Sequence, residues 1–251
     1  MPRGPRQLSS SGIYHIMLRG INQQVIFEDD EDYLKFVEII LKYKEICQYK
    51  VFAFCLMTNH IHLLLKIDED CLASAMKRIA GSYAFWYNRK YYRMGHLFQD
   101  RFKSEPVEDD SYFLTAVRYI HQNPIKAGMI NELYEYKYSS YFDYYCGESE
   151  VVDMDFVYTL LSKDEFIEFN NEENNDLCLD ICDRNSILND IDAKEIIKQI
   201  SKCNNSSEFK ILSKEQQNRY IKKFKELGLS IRQMSRLTGI SKGVIERILI
   251  K

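Results

Sequence analysis

Apolar and polar positions follow two rhythms along the first half of the chain. "GIYHIMLRG" (12–20) is short, rich in branched and aromatic residues, and follows a Pro/Ser/Gly leader, which predicts a strand. "DDEDYLKFVEIILKYKEICQY" (29–49) opens with acids suited to a helix N-terminus. It then repeats apolar residues at Tyr33, Phe36, Val37, Ile40, Leu41 and Tyr43, a helical period. "KVFAFCLM" (50–57) and "HIHLLLKI" (60–67) predict two strands joined by the two-residue turn Thr58-Asn59. A second helix is predicted over 71–92, a strand within 95–107, and a third helix over 109–123 that stops near Pro124. The order β-α-β-β-α-β-α predicts an α+β fold, a ferredoxin-like split βαβ antiparallel sheet with helices on a face.

Beyond residue 145 the pattern weakens into an Asp/Glu/Asn-rich stretch, 146–211, with helical runs such as "MDFVYTLLS" and "DAKEIIKQI". Patterning returns in 212–251. Ser213 suits a helix N-cap, with the helix running to about Leu227 and ending at Gly228. "SIRQMSRLTGISKGVIERIL" then fits a helix-turn-helix: one helix over 231–238, a turn at Gly239, and a second helix from Ser241 carrying Lys242 and Arg247. Three regions are therefore expected: a domain over 1–145, an acidic and partly helical connector over 146–211, and a helix-turn-helix module over 212–251.

Charge sharpens this division. The net charge of -3 hides strong asymmetry. Residues 71–104 carry Lys77, Arg78, Arg89, Lys90, Arg93, Arg101 and Lys103 against Asp100 alone. Residues 196–251 are also strongly basic, and 146–195 strongly acidic. Two basic blocks favour a polyanionic partner, although a solvated helix face would give the same pattern. The seven cysteines are odd in number and form no Cys-x-x-Cys pair; Cys178 and Cys182 share a helical spacing but lack nearby histidines. With no run of 18 apolar residues and no apolar signal core at the start, a soluble cytoplasmic protein with no membrane partner is expected.

Candidate chemistry begins at "MTNHIHLLLK" (57–66). On a strand His60 and His62 share one face while Ile61 and Leu63 take the other. Two neutral imidazoles side by side suit a divalent metal, or form a hydrogen-bonded pair in a half-buried strand. In the third predicted helix, "RYIHQNP", Tyr119 and Asn123 lie four apart on one face. Beside a metal that polarises a phosphate, a tyrosine can attack phosphorus, and a carboxamide oxygen can join two imidazoles.

"SGIYHIMLRGINQQVIFEDDEDYLKF", "LMTNHIHLLLK" and "RMGHLFQDRFKSEPVEDDSYFLTAVRYIHQNPIKAG", in this order, resemble the single-tyrosine HUH transposases of the IS200-like superfamily, on the branch associated with repetitive extragenic palindromes. The resemblance covers roughly residues 1–145. It implies that His60 and His62 are metal ligands, that Tyr119 is the nucleophile, and that Asn123 completes the site where insertion-sequence relatives carry Gln. It further implies Mg²⁺ or Mn²⁺ as cofactor, single-stranded or hairpin DNA as partner, cleavage and rejoining through a 5′-phosphotyrosine, and either a monomer or a homodimer. Lys77, Arg78, Arg93, Arg101, Lys103, Lys242 and Arg247 are the expected DNA contacts, with Tyr83, Trp86 and Tyr87 as stacking candidates and core packing as the alternative for Phe85 and Trp86. A DNA-binding regulator with a silent catalytic domain is the competing expectation.

Overall fold

Four strands, β1 (Ile13–Arg19), β2 (Lys50–Met57), β3 (His60–Lys66) and β4 (Lys103–Pro106), form an antiparallel sheet in the order β2-β3-β1-β4. Strand β3 is inserted between β1 and β2, which therefore run parallel; this is the split βαβ topology read from the element order. The computed structural model describes residues 7–174, 176, 178–179, 190–203, 205–227 and 229–250, so Cys182 and the expected helix stop at Gly228 lie outside the described residues. The chain forms two compact units, residues 1–180 and 181–251.

In the first unit, helix α1 (Asp30–Cys47) begins at Asp29, whose carboxylate accepts the Asp32 N–H in a reciprocal capping box. Helix α2 (Glu69–Lys90) ends on Lys90, whose ammonium bridges Asp29, Glu31 and Asp32 and ties the end of α2 to the start of α1. Part of the first basic block thus serves the fold. Leu18 of β1, which pairs with Ile61, lines a groove with Met76 and Ala80 of α2, so α2 covers the Ile61 face of the sheet.

Helix α3 (Asp110–Lys126) runs two residues past Pro124, so the proline lies inside its last turn. The lost N–H and ring clash cost about 3 kcal/mol in a helix interior. Buried contacts offset this: His121 joins Asn170 Oδ1 (2.9 Å) to Ser140 Oγ (2.8 Å), and the Gln122 carboxamide donates to the carbonyls of Asn170 and Glu172. The strand expected within 95–107 is limited to β4; residues 95–102 run irregularly, joined to β1 through a bridge between Gly20 and Phe98.

The stretch expected as a connector is divided between the two units. Helices α4 (Tyr141–Cys146), α5 (Asp155–Leu160) and α6 (Lys163–Asn171) belong to the first, where Val151, Val157 and Phe166 join the core. Phe166 stacks on Tyr144 at 4.4 Å. A few apolar anchors in an acidic segment are enough to dock it. In the second unit, α7 (Asp190–Ser201), α8 (Ser206–Ile211), α9 (Lys214–Glu226), α10 (Ile231–Thr238) and α11 (Lys242–Ile250) share one core of Ala193, Ile197, Phe209, Ile221, Phe224, Met234 and Ile245. Ser213 caps α9, and Ser230 caps α10. Gly239 takes φ +70°, where a side chain would be strained and its Cβ would press on Lys210. Among the described residues no helix is long and apolar enough to cross a membrane.

Candidate active site

The sheet face opposite α2 carries the candidate residues. Register places His62 opposite Met17 on β1, and Met17 opposite Lys103 on β4, so His60, His62, His15 and Lys103 all project from one face. Lys103 stands two strand spacings from His62, about 10 Å across the sheet. Helix α3 brings Tyr119 to this face. The Tyr119 ring stands edge-on to His62 at 5.9 Å between centroids and to His15 at 6.0 Å. The Lys126 ammonium lies over the Tyr119 ring at 4.7 Å, placing positive charge beside the phenol.

The two expected histidines are held differently. His60 is half-buried, and its Nδ1–H donates to Asn59 Oδ1 at 2.7 Å, which leaves Nε2 as the lone-pair nitrogen of the neutral ring. His62 is fully buried, its Nδ1 3.0 Å from His15 Nε2. The His62 Nε2 is buried with no protein hydrogen-bond partner. Burial holds His62 well below the ordinary imidazole range, with His15 and His60 adding to the effect, and burial alone takes His15 down to about 3. Both rings are neutral at physiological pH, the form that can ligate a metal.

Asn123 sits one turn beyond Tyr119, as the spacing requires, and its Nδ2 donates to the Tyr119 carbonyl at 2.8 Å. Its nitrogen is thus taken up within the helix, and the carboxamide oxygen is the atom it could offer to a metal. Among the described residues no group of three or more His, Cys, Asp or Glu side chains is placed to hold a metal. A metal here would need oxygen donors beyond the two imidazoles. The pair nonetheless fits such an ion: both Nδ1 atoms are hydrogen-bonded, and the His62 Nε2 is buried with no protein partner.

The remaining expectations separate clearly. Tyr83 and Tyr87 are buried in the core, their hydroxyls donating to the carbonyls of Ile26 and Val25, so neither offers a stacking face. Trp86 is half-buried under Lys90, whereas Phe85, for which core packing was the alternative reading, is 72% exposed. Arg93 donates to Gln24 Oε1 at 2.7 Å and lies over the Tyr87 ring, which engages it within the fold. Lys77 and Arg101 line the groove on the α2 face, and Arg78 is exposed. In the second unit Lys242 is exposed, and Arg247 lines a surface cleft with Lys214 and Lys222. Tyr112, the other tyrosine on this face of α3, donates to Glu105 Oε2 at 2.6 Å, and burial together with that bond raises its pKa. His15 was not foreseen. It stands alone in its sequence neighbourhood, and only the β1–β3 pairing reveals its partner.

The split βαβ sheet thus presents a His-hydrophobe-His strand to Tyr119 on α3, the helix that follows β4. Residues 9–123 match the family described as "Transposase IS200 like". It is 29% identical over 113 residues to a REP-associated tyrosine transposase of Haemophilus influenzae, a match covering 39% of this chain and 64% of that relative's length. The fold is shared with a solved REP-associated tyrosine transposase bound to a REP hairpin, at TM-score 0.51 and 17% identity over 58% of this chain and 86% of that one.

Proposed function

We propose that this chain is a metal-dependent DNA transposase or nickase that cleaves and rejoins single-stranded hairpin or palindromic DNA through a 5′-phosphotyrosine. The observation that carries this reading is the Tyr119 ring edge-on to His62 and His15, at 5.9 and 6.0 Å, on a face that also bears Lys103. A hairpin substrate is favoured by the solved relative, whose own ligand is a REP hairpin.

His60, His62 and the carboxamide oxygen of Asn123 would hold Mg²⁺ or Mn²⁺. Such an ion, when bound, withdraws charge from the non-bridging oxygens of the scissile phosphate. The Tyr119 hydroxyl attacks phosphorus as its proton passes to solvent. The new tyrosyl O–P bond forms as the bond to the 3′-oxygen breaks, and that oxygen leaves as a 3′-hydroxyl after taking up a proton. Because the phosphotyrosine is an ester like the one broken, another 3′-hydroxyl can reverse the step without ATP. Lys126 steadies the developing phenolate. Lys103 at the site, Lys77, Arg78 and Arg101 around the domain, and Lys242 and Arg247 on α11 supply phosphate contacts. In this reading α10 and α11 form a DNA-binding helix-turn-helix with α11 as its recognition helix.

Incubation with a fluorescent single-stranded hairpin and Mn²⁺, followed by a denaturing gel, tests the proposal. A labelled band at the mass of protein plus DNA supports it. Cleaved strands with no covalent band would instead indicate a hydrolase.

A further inference from the structure

We propose that His15 on β1 is a positioning residue that accepts the Nδ1–H of His62 and so presents the His62 Nε2 lone pair to the metal. The inference rests on reading His62 as a ligand. A neutral imidazole carries one N–H, so the 3.0 Å contact between His15 Nε2 and His62 Nδ1 admits two arrangements. If His15 donates, His62 carries its proton on Nε2 and cannot ligate through that atom. If His62 donates, its Nε2 is bare and the proton of His15 sits on Nδ1.

Two observations favour the second arrangement. His60 follows the same pattern, its Nδ1–H given to Asn59 Oδ1. The carboxylate residue Glu105 is the cross-strand partner of His15 on β4, while His62 lies on the β3 side. Negative charge on the β4 side favours a His15 ring dipole with its N–H away from His62. His15 Nδ1 and His62 Nε2 are both buried without a protein partner, so either arrangement leaves one buried N–H unpaired, and a metal would satisfy the nitrogen that the second leaves bare on His62. A ligand imidazole whose second nitrogen donates to a fixed acceptor is oriented and made more basic, and removing such a partner typically costs roughly 10–100-fold in metal affinity.

The test is Mn²⁺ binding to the intact chain without DNA, by calorimetry, for wild type, His15→Leu, His15→Gln and His62→Ala. A Gln oxygen can accept the same N–H. We expect His15→Leu to weaken binding by roughly 10–100-fold, His15→Gln to retain most of it, and His15→Leu to add nothing once His62 is Ala. Loss on His62→Ala with no loss on His15→Leu overturns this inference alone. Equal binding by wild type and His62→Ala overturns the ligand reading and this inference with it. Should His15→Leu fail to fold, ring ¹⁵N shifts of the wild-type chain decide. A His62 protonated at Nδ1 supports the assignment, and one protonated at Nε2 overturns it.

Discussion

The ring of Tyr119, on the third helix, stands edge-on to that of His62, on the third strand, with centroids 5.9 Å apart. The contact joins the two elements of the proposed chemistry, and it yields the first expectation. Tyr119→Phe keeps the ring and its packing but loses the hydroxyl. Adduct formation on hairpin DNA should fall to background while hairpin affinity, which comes mainly from phosphate contacts, stays close to wild type. Band-shift titration beside a denaturing gel checks both. A covalent adduct in the Phe variant would point to another nucleophile, although Tyr112 is held to Glu105.

Ligand loss should be graded. His60→Ala and His62→Ala each remove a nitrogen donor that no neighbour replaces, and the Mn²⁺ needed for half-maximal adduct should rise at least about tenfold, equivalent to about 1.4 kcal/mol. Asn123→Ala removes a neutral oxygen that water can partly replace, so its rise should be smaller. Metal titrations of the three variants, with thermal melts to verify folding, make the comparison; an unchanged metal requirement in His62→Ala would mean that the pair is structural.

Acid should destabilise the first unit early. Burial depresses His15 to about 3, His121 to about 4, and His62 well below the ordinary range. The unfolded imidazoles titrate near about 6.5. A depressed folded value contributes stability that is present above the unfolded value and lost as pH falls below it. Burial raises Asp143 to about 6, which acts in the opposite direction between that value and the unfolded carboxylate range. The balance is a loss on the order of 3 kcal/mol between about pH 6.5 and 5. Urea unfolding in EDTA, followed through Trp86, the single tryptophan, reads it directly. A midpoint unchanged across that range would show that these rings are not neutral and buried.

Helix α3 is also fixed from its far side. Arg118, next to Tyr119, pairs with Asp176 and Glu172 at 2.8 Å each and lies over Phe169 at 3.9 Å. Arg118→Ala should cost about 2–3 kcal/mol, by leaving the largely buried Asp176 unpaired and losing the Phe169 contact. The same urea experiment measures it, and a change under about 0.5 kcal/mol would place the pair among ordinary surface ion pairs.

The chain's periodicity carried most of this architecture. The capped start of α1, the Thr58-Asn59 turn, and the Gly239 break between α10 and α11 are local chemistry and lie where the pattern puts them. Three features were not read from the pattern, two of them because they depend on tertiary contacts. Pro124 is carried inside α3 because Asn170, Ser140 and Glu172 hold the residues around it. Tyr83 and Tyr87 are buried while Phe85 is exposed. Here the helical spacing from Leu72 through Ile79 to Tyr87 was the usable signal, and aromatic character alone misled. His15 became meaningful only when strand pairing set it beside His62, a relation that no local spacing encodes.

The most direct measurement is to digest the covalent complex formed with hairpin DNA and Mn²⁺ and to sequence the DNA-linked peptide by mass spectrometry. The account predicts one modified residue, Tyr119, carrying a 5′-linked nucleotide, with a free 3′-hydroxyl on the released strand. A nucleotide on any other side chain, or cleavage of the DNA with no modified peptide, would contradict it.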